Sequence, residues 1–205
     1  MKKLVIIGAG GHGKVVADNA LKNKKYESLL FLDDSEDSKG FNNIAVAGKV
    51  DDFFQYINDS EFIVAIGNNT IRAKITSALE ARQAKIATLI HPDAVIGSGV
   101  RIGCGTVVMA GAVINTGSII GKSSIINTCS SIDHDCIVGN YCHISVGAHL
   151  AGSVVIGKSV FVGAGATVID NIKICSKAIV GAGAVVTNDL DEAGTYVGVP
   201  VKRIK

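Results

Sequence analysis

Residues 126–150 read INTCSSIDHDCIVGNYCHISVGAHL. An aliphatic side chain stands at Ile126, Ile132, Val138, Ile144 and Leu150, always six apart. Extended both ways, the spacing runs unbroken from Ile90, Ile96, Ile102, Val108, Ile114 and Ile120 through to Ile156, Val162, Val168, Ile174, Val180 and Val186. That is 17 consecutive positions. Neither a helix (3.6) nor a strand (2.0) has this period. A fixed repeat sustained so long is the mark of a solenoid. Three hexads make one coil, the aliphatic residue fills the axis, and Gly or another small residue is expected to turn each corner. Coils stack at about 4.8 Å, so roughly six of them form a prism about 27 Å tall. The expected fold is a left-handed parallel β-helix over residues 90–205, an exception to the usual right-handed crossover.

The composition fits this geometry. The chain of 205 residues holds 24 Gly but only 2 Pro and no Trp, and its aromatic content is 5 %. Collagen is excluded by the lack of proline and of a three-residue period. A thin axis has no room for rings. Apolar residues at 48 % against charged residues at 19 % exclude a disordered chain. Twenty Lys and Arg against 18 Asp and Glu give no basic field, so no nucleic-acid partner is expected. No segment approaches the roughly 20 apolar residues of a membrane helix, so no membrane insertion is expected. The apolar run after Met1 stops at Ile7, too short for a signal peptide. The five cysteines (Cys104, Cys129, Cys136, Cys142 and Cys175) form no C-x-x-C pair. Free thiols and a cytoplasmic location follow as expectations.

Residues 1–89 follow a different rule. Strand-like segments at Lys3–Ile7, Leu29–Leu32, Phe62–Ile66 and Lys85–Leu89 alternate with helix-like segments at Lys14–Lys22 and Thr70–Gln83. The Thr70–Gln83 helix is expected to bury Ile71, Ile75, Ala78 and Leu79 on one face. Alternation of this kind predicts a parallel α/β sheet, a half-Rossmann domain of mononucleotide size. Between the first strand and helix, Gly8-Ala9-Gly10-Gly11-His12-Gly13 satisfies G-x-G-x-x-G, which lets backbone approach a phosphate at a helix N-terminus. Asp33 follows Gly13 by 20 residues, the place of a ribose-binding acid in NAD enzymes. The small domain, and the lack of a second domain suited to hydride transfer, point instead to a nucleotide-linked substrate.

Chemistry should stand out against so regular a repeat. Asp133-His134-Asp135 flanks one imidazole with two carboxylates in a stretch almost free of charge. A carboxylate neighbour orients an imidazole and raises its basicity, as a general base requires. Zinc held by His134, His143, His149, Cys136 and Cys142 is the rival reading. Against it, tetrahedral ligand spacing is absent and the thiols fall at or beside small-residue core positions. No metal is expected.

Taken together, the Gly-Gly-His-Gly loop, Phe31-Leu32-Asp33-Asp34, Ala65-Ile66-Gly67-Asn68, Asn127-Thr128 before Asp133-His134-Asp135, and Gly198-Val199-Pro200-Val201-Lys202 resemble the NeuD/PglD-type sugar O/N-acetyltransferases. The resemblance implies a homotrimer of parallel prisms with acetyl-CoA as co-substrate in the groove between subunits. It implies His134 as general base and Asp135 as the carboxylate behind it, where bacillosamine-pathway members carry Glu. It places His143 near the thioester, with Gly152, Ala164, Gly181 and Ala182 lining the coenzyme groove. It places a nucleotide sugar on Gly10, Gly11, His12, Asp33, Asp34 and Gly67. The expected activity is N-acetylation of a UDP-linked 4-amino-4,6-dideoxy sugar. O-acetylation of sialic acid or a related sugar, and a non-catalytic nucleotide-binding scaffold, remain as alternatives.

Overall fold

The computed structural model describes residues 2–205. It divides into two compact units, one ending at Pro92 and one spanning Asp93–Lys205.

In the first unit, β1 (Lys3–Ile7), β2 (Ser28–Leu32), β3 (Ser60–Val64) and β4 (Lys85–Ile86) form one parallel sheet in the order β2-β1-β3-β4. Leu4 through Ile7 are fully buried, as a strand covered on both faces must be. Helix α1 spans Gly11–Asn23 and α2 spans Asn69–Ala81. Helix α1 begins three residues earlier than the apolar spacing predicts, because the glycine motif itself supplies its first turn. A 3₁₀ helix at Val50–Tyr56 has no signal in the periodicity; it buries Phe53 edge-on against Phe62.

The face of α2 differs from the expected one. Arg72, Thr76 and Leu79 are buried, while Ile71 is 47 % exposed and Ala78 is exposed. Arg72 is inside because its guanidinium donates to the carbonyls of Ile66 (2.8 Å) and Gly67 (3.1 Å) and to Asn69 Oδ1 (2.7 Å). A buried cation is tolerable only when bonded in this way.

The second unit is a left-handed parallel solenoid of two-residue strands pairing at an 18-residue spacing, closed by a three-residue strand at Thr195–Val197 that pairs 16 residues after Ile179. Val95, Val113, Ser131, His149, Thr167 and Val185 stack on one face. Arg101, Ile119, Ile137, Val155 and Lys173 stack on the second. Val107, Ile125, His143, Phe161, Ile179 and Thr195 stack on the third. Every axial aliphatic from Val108 to Val186 is at most 2 % exposed.

The corners are built otherwise than the repeat suggests. The left-handed residue comes three places after the aliphatic one, at each sixth position from Gly99 to Gly183. Eight of these 15 residues are not glycine, among them Asp135 (φ +59°) and Tyr141 (φ +59°). Glycine is therefore not what turns the corner. The glycine directly after the aliphatic residue has a steric cause instead. A Cβ on Gly103 would lie 2.5 Å from the backbone nitrogen of Lys122, and one on Gly121 would lie 2.5 Å from that of Asn140. Those residues are small so that successive coils can approach.

The small residue two places before each axial aliphatic does more than fill space. Ser118 Oγ donates to the Asp133 carbonyl (2.7 Å) and Ser124 Oγ to that of Gly139 (3.1 Å). Cys136 Sγ and Cys142 Sγ repeat the pattern toward the Ala151 (3.1 Å) and Gly157 (3.0 Å) carbonyls. Both of these thiols are buried, and burial pushes the Cys136 thiol above its ordinary pKa. They are structural groups, not nucleophiles.

Candidate active site

His134 stands on a corner of the solenoid, with its side chain 54 % exposed. Its ring Nδ1 lies 2.9 Å from Asp135 Oδ2. The two flanking carboxylates divide their work. Asp133 Oδ1 accepts the backbone N–H of His134 (2.8 Å) and the side-chain amide of Asn115 (2.9 Å), and only Asp135 bonds the ring. The Asp135 hydrogen bond is the main cause holding the His134 pKa above its ordinary value, outweighing slight desolvation, with the Asp133 and Asp135 charges adding to it. With Nδ1 tied to a carboxylate, Nε2 is the free nitrogen of the neutral ring.

Gly152 occupies the equivalent corner position one coil further on. A Cβ there would fall 2.6 Å from His134 Nε2 and 2.7 Å from Cε1. Glycine thus gives the His134 ring room to lie against this corner. Its buried N–H enters no hydrogen bond among the described residues.

His143 is buried on a face of the prism, edge-on to Phe161 with ring centroids 5.1 Å apart. Its Nε2 lies 3.1 Å from Asn127 Nδ2. Asn127 Oδ1 accepts the N–H of Thr128 (2.9 Å), so Nδ2 is the edge turned to the ring and Nε2 must accept. The face that carries it leads to a second corner, where Ala164 and Ala182 are exposed on adjacent coils, with Gly181 just before Ala182. The N–H groups of Ala164 and Ala182 also enter no hydrogen bond among the described residues. His149 bonds Ser131 Oγ through Nδ1 (2.8 Å). Among the described residues, no group of three His, Cys, Asp or Glu side chains is placed to hold a metal ion.

In the first unit a cleft of about 380 Å³ is lined by Gly10, Gly11, His12, Asp33, Asp34 and Gly67, with Val50, Ile71 and Ile75 as an apolar wall. The three motif glycines have three different reasons. Gly8 adopts φ +104°, a Cβ on Gly13 would lie 2.0 Å from the Gly8 carbonyl oxygen, and Gly10 faces open space. Helix α1 starts with no side-chain cap and no acid in its first turn, so its N–H groups and dipole are left for an anion. Asp33 and Asp34, expected to face a ligand, have backbone partners first. Asp33 accepts the N–H of Ala9 (2.6 Å) and of Ser35 (2.8 Å), and Asp34 accepts that of Val50 (2.9 Å). Burial alone would raise the Asp33 pKa, but these donors hold it below the ordinary carboxylate range.

Sequence reasoning missed Asn115 and Arg72. Asn115 had a signal, a polar side chain at the hexad position that glycine most often fills. Arg72 had none beyond an arginine in a segment read as amphipathic.

Residues 3–79 match the family model for the PglD N-terminal domain. The acetyltransferase domain of PglB from Neisseria gonorrhoeae FA1090, solved in complex with acetyl coenzyme A, is 40 % identical. The match covers 98 % of this chain and 98 % of that one, with a TM-score of 0.95. The chain belongs to the PglD-type sugar acetyltransferase family. Within this family, a point variant of perosamine N-acetyltransferase from Caulobacter crescentus, in complex with CoA and GDP-perosamine, is 36 % identical. It covers 99 % of this chain and 97 % of its own, with a TM-score of 0.93. The UDP-N-acetylbacillosamine N-acetyltransferase of Bacillus subtilis (strain 168) is 36 % identical over 111 residues. That match takes in 52 % of this chain and only 50 % of the B. subtilis relative.

Proposed function

We propose that the protein transfers the acetyl group of acetyl-CoA to the amine of a nucleotide-linked sugar, with a UDP-linked 4-amino-4,6-dideoxy sugar as acceptor. The observation that carries the reading is the His134 corner. Its Nδ1 is held by Asp135, which leaves Nε2 as the proton-accepting nitrogen of an exposed ring. The sugar amine attacks the thioester carbonyl and its N–H proton passes to Nε2 of His134. The C–S bond then breaks and the proton moves to the departing thiolate, giving CoA thiol and the amide. Asp135 stabilises the imidazolium formed between these steps. The unengaged N–H of Gly152 is a donor for the oxyanion. Binding both substrates together supplies much of the rate.

The acceptor's diphosphate is assigned to the N-terminus of α1, and its nucleoside to the cleft walled by Val50, Ile71 and Ile75. His12, Asp33, Asp34 and Gly67 complete that site. Acetyl-CoA is assigned to the corner of Ala164 and Ala182, with Gly181 and His143 beside it. That corner and the His134 corner are different edges of the prism, which favours a groove walled by two copies of the chain. Ile137, 46 % exposed between Ile119 and Val155 on one face, supports burial of that face in a homotrimer.

The test is free-thiol release from acetyl-CoA with three acceptors, a UDP-4-amino-4,6-dideoxy sugar, GDP-perosamine and sialic acid, against a blank without acceptor. The reading expects the highest kcat/KM with the UDP sugar. Turnover with GDP-perosamine alone would move the assignment to a guanine nucleotide. Turnover with sialic acid alone would make it an O-acetyltransferase, and release with none of them would remove the activity.

A further inference from the structure

Asp133 and Asp135 both touch the catalytic corner, yet they hold different things. Asp135 holds the ring of His134. Asp133 gathers two donors on a single oxygen, the backbone N–H of His134 (2.8 Å) and Asn115 Nδ2 from the coil below (2.9 Å). A side chain holding the next N–H recurs at Asn127–Thr128 (2.9 Å), but there the acceptor oxygen takes no second amide from the coil below; two further features set the His134 corner apart. The equivalent N–H one coil on, that of Gly152, is not bonded at all. Asn115 also stands where the repeat most often carries glycine, so coil stacking does not require an amide there. The Ser118 hydroxyl under the same corner is ordinary by comparison, since Ser124 repeats its bond one hexad later.

Around it, the Asp135 N–H donates to the Thr116 carbonyl (3.0 Å), the Ser153 N–H to the His134 carbonyl (2.9 Å) and the Ser118 hydroxyl to the Asp133 carbonyl (2.7 Å). Ser118 holds the carbonyl of the peptide that leads into His134, and Asp133 Oδ1 holds its N–H. On an exposed corner that peptide sets where the ring starts, and a misplacement of about 1 Å costs on the order of 100-fold in rate.

We propose that Asn115 and Asp133 are positioning residues that clamp the peptide before His134, and that Asp133 acts mainly through the two hydrogen bonds on its Oδ1, its charge being a secondary aid to the basicity of His134. The proposal rests on the acetyltransferase reading above. Its test compares Asp133→Ala, Asn115→Leu, the double variant and Asp133→Asn in thiol release, with thermal unfolding as a check on the fold.

Asp133→Ala and Asn115→Leu should each lower kcat by about 10- to 100-fold, with the KM for acetyl-CoA unchanged. The double variant should fall no further than the worse single one, because both break one unit. Asp133→Asn keeps an Oδ1 acceptor and loses the charge, so it should recover to within about threefold of wild type. The proposal is overturned if Asp133→Asn falls as far as Asp133→Ala, if the two single variants match wild type, or if their losses multiply.

Hydrogen exchange of the His134 amide separates this from a failure of the functional reading. Without any turnover, Asp133→Ala should speed that exchange by about tenfold or more and Asp133→Asn should preserve its protection. Equal exchange in all variants overturns the clamp even if the enzyme is active.

Discussion

Replacing Gly152 by alanine places one methyl group beside the His134 ring. The added Cβ would lie 2.6 Å from His134 Nε2, 2.7 Å from Cε1 and 3.3 Å from Cδ2. Comfortable separation is about 3.5–4.0 Å, so the ring must retreat by roughly 1 Å. It can do so, because the His134 side chain is 54 % exposed and its outer edge is free. The solenoid should therefore keep its stability. Gly152 is not one of the corner residues with positive φ, so the methyl adds no backbone strain. A displacement of about 1 Å is worth on the order of 100-fold in kcat, or about 2.7 kcal/mol in the barrier. The assay is thiol release at saturating acceptor, paired with thermal unfolding. The reasoning predicts a kcat loss near 100-fold with an unchanged unfolding midpoint. A kcat within twofold of wild type would refute it. A loss confined to the KM for acetyl-CoA would show that Gly152 makes room for the coenzyme only.

Three further outcomes follow from the structure. A base acts when neutral, so kcat/KM should rise with pH through a midpoint above the ordinary histidine value of about 6.5, since the Asp135 bond favours the protonated ring. Asp135→Asn should lower both that midpoint and the plateau, which a pH–rate profile measures. The same bond contributes to folding below pH of about 6.5 and ceases to do so as pH rises through the raised pKa; at so exposed a pair the effect should shrink in high salt. Gly11→Val, which points into open space, should raise the acceptor KM and leave that for acetyl-CoA unchanged, whereas Gly13→Ala should destabilise the first unit because its Cβ meets the Gly8 carbonyl at 2.0 Å. Ile144→Ala, fully buried on the axis, should cost about 2–5 kcal/mol in denaturant unfolding.

The solenoid was legible because one residue in six must point at the axis whatever else the coil does. That requirement is local and periodic, so Ile90 to Val186 display it openly. The corner geometry was not legible. Its left-handed residue can be Gly, Ser, Cys, Asp, Asn, Lys or Tyr, since its N–H is held by a carbonyl of the coil below whatever the side chain. The eye goes instead to the glycines after each aliphatic residue, which report coil spacing. In α2 the apolar spacing put Ile71 on the buried face, but three hydrogen bonds draw Arg72 inward and leave Ile71 to the cleft wall. Tertiary bonding of a single long side chain cannot be read from periodicity.

The candidate site divides the same way. Asp133-His134-Asp135 announces itself as charge within an uncharged repeat. The unequal duties of its two carboxylates depend on Asn115, 18 residues before Asp133, and become visible only when the coils are stacked. The glycine motif pointed to an anion at α1, and the cleft forms there. The roles of Asp33 and Asp34 as supports for their own loops depend on where Ala9, Ser35 and Val50 lie in space.

The central claim is that His134 is the base for acetyl transfer to a nucleotide-linked amine. It is tested most directly by His134→Ala with acetyl-CoA and a UDP-4-amino-4,6-dideoxy sugar, following free thiol, with circular dichroism to confirm the fold. The account predicts a loss of at least about 100-fold in kcat, at the low end of general base catalysis, with the solenoid intact. Turnover by a folded His134→Ala variant at the wild-type rate would contradict it.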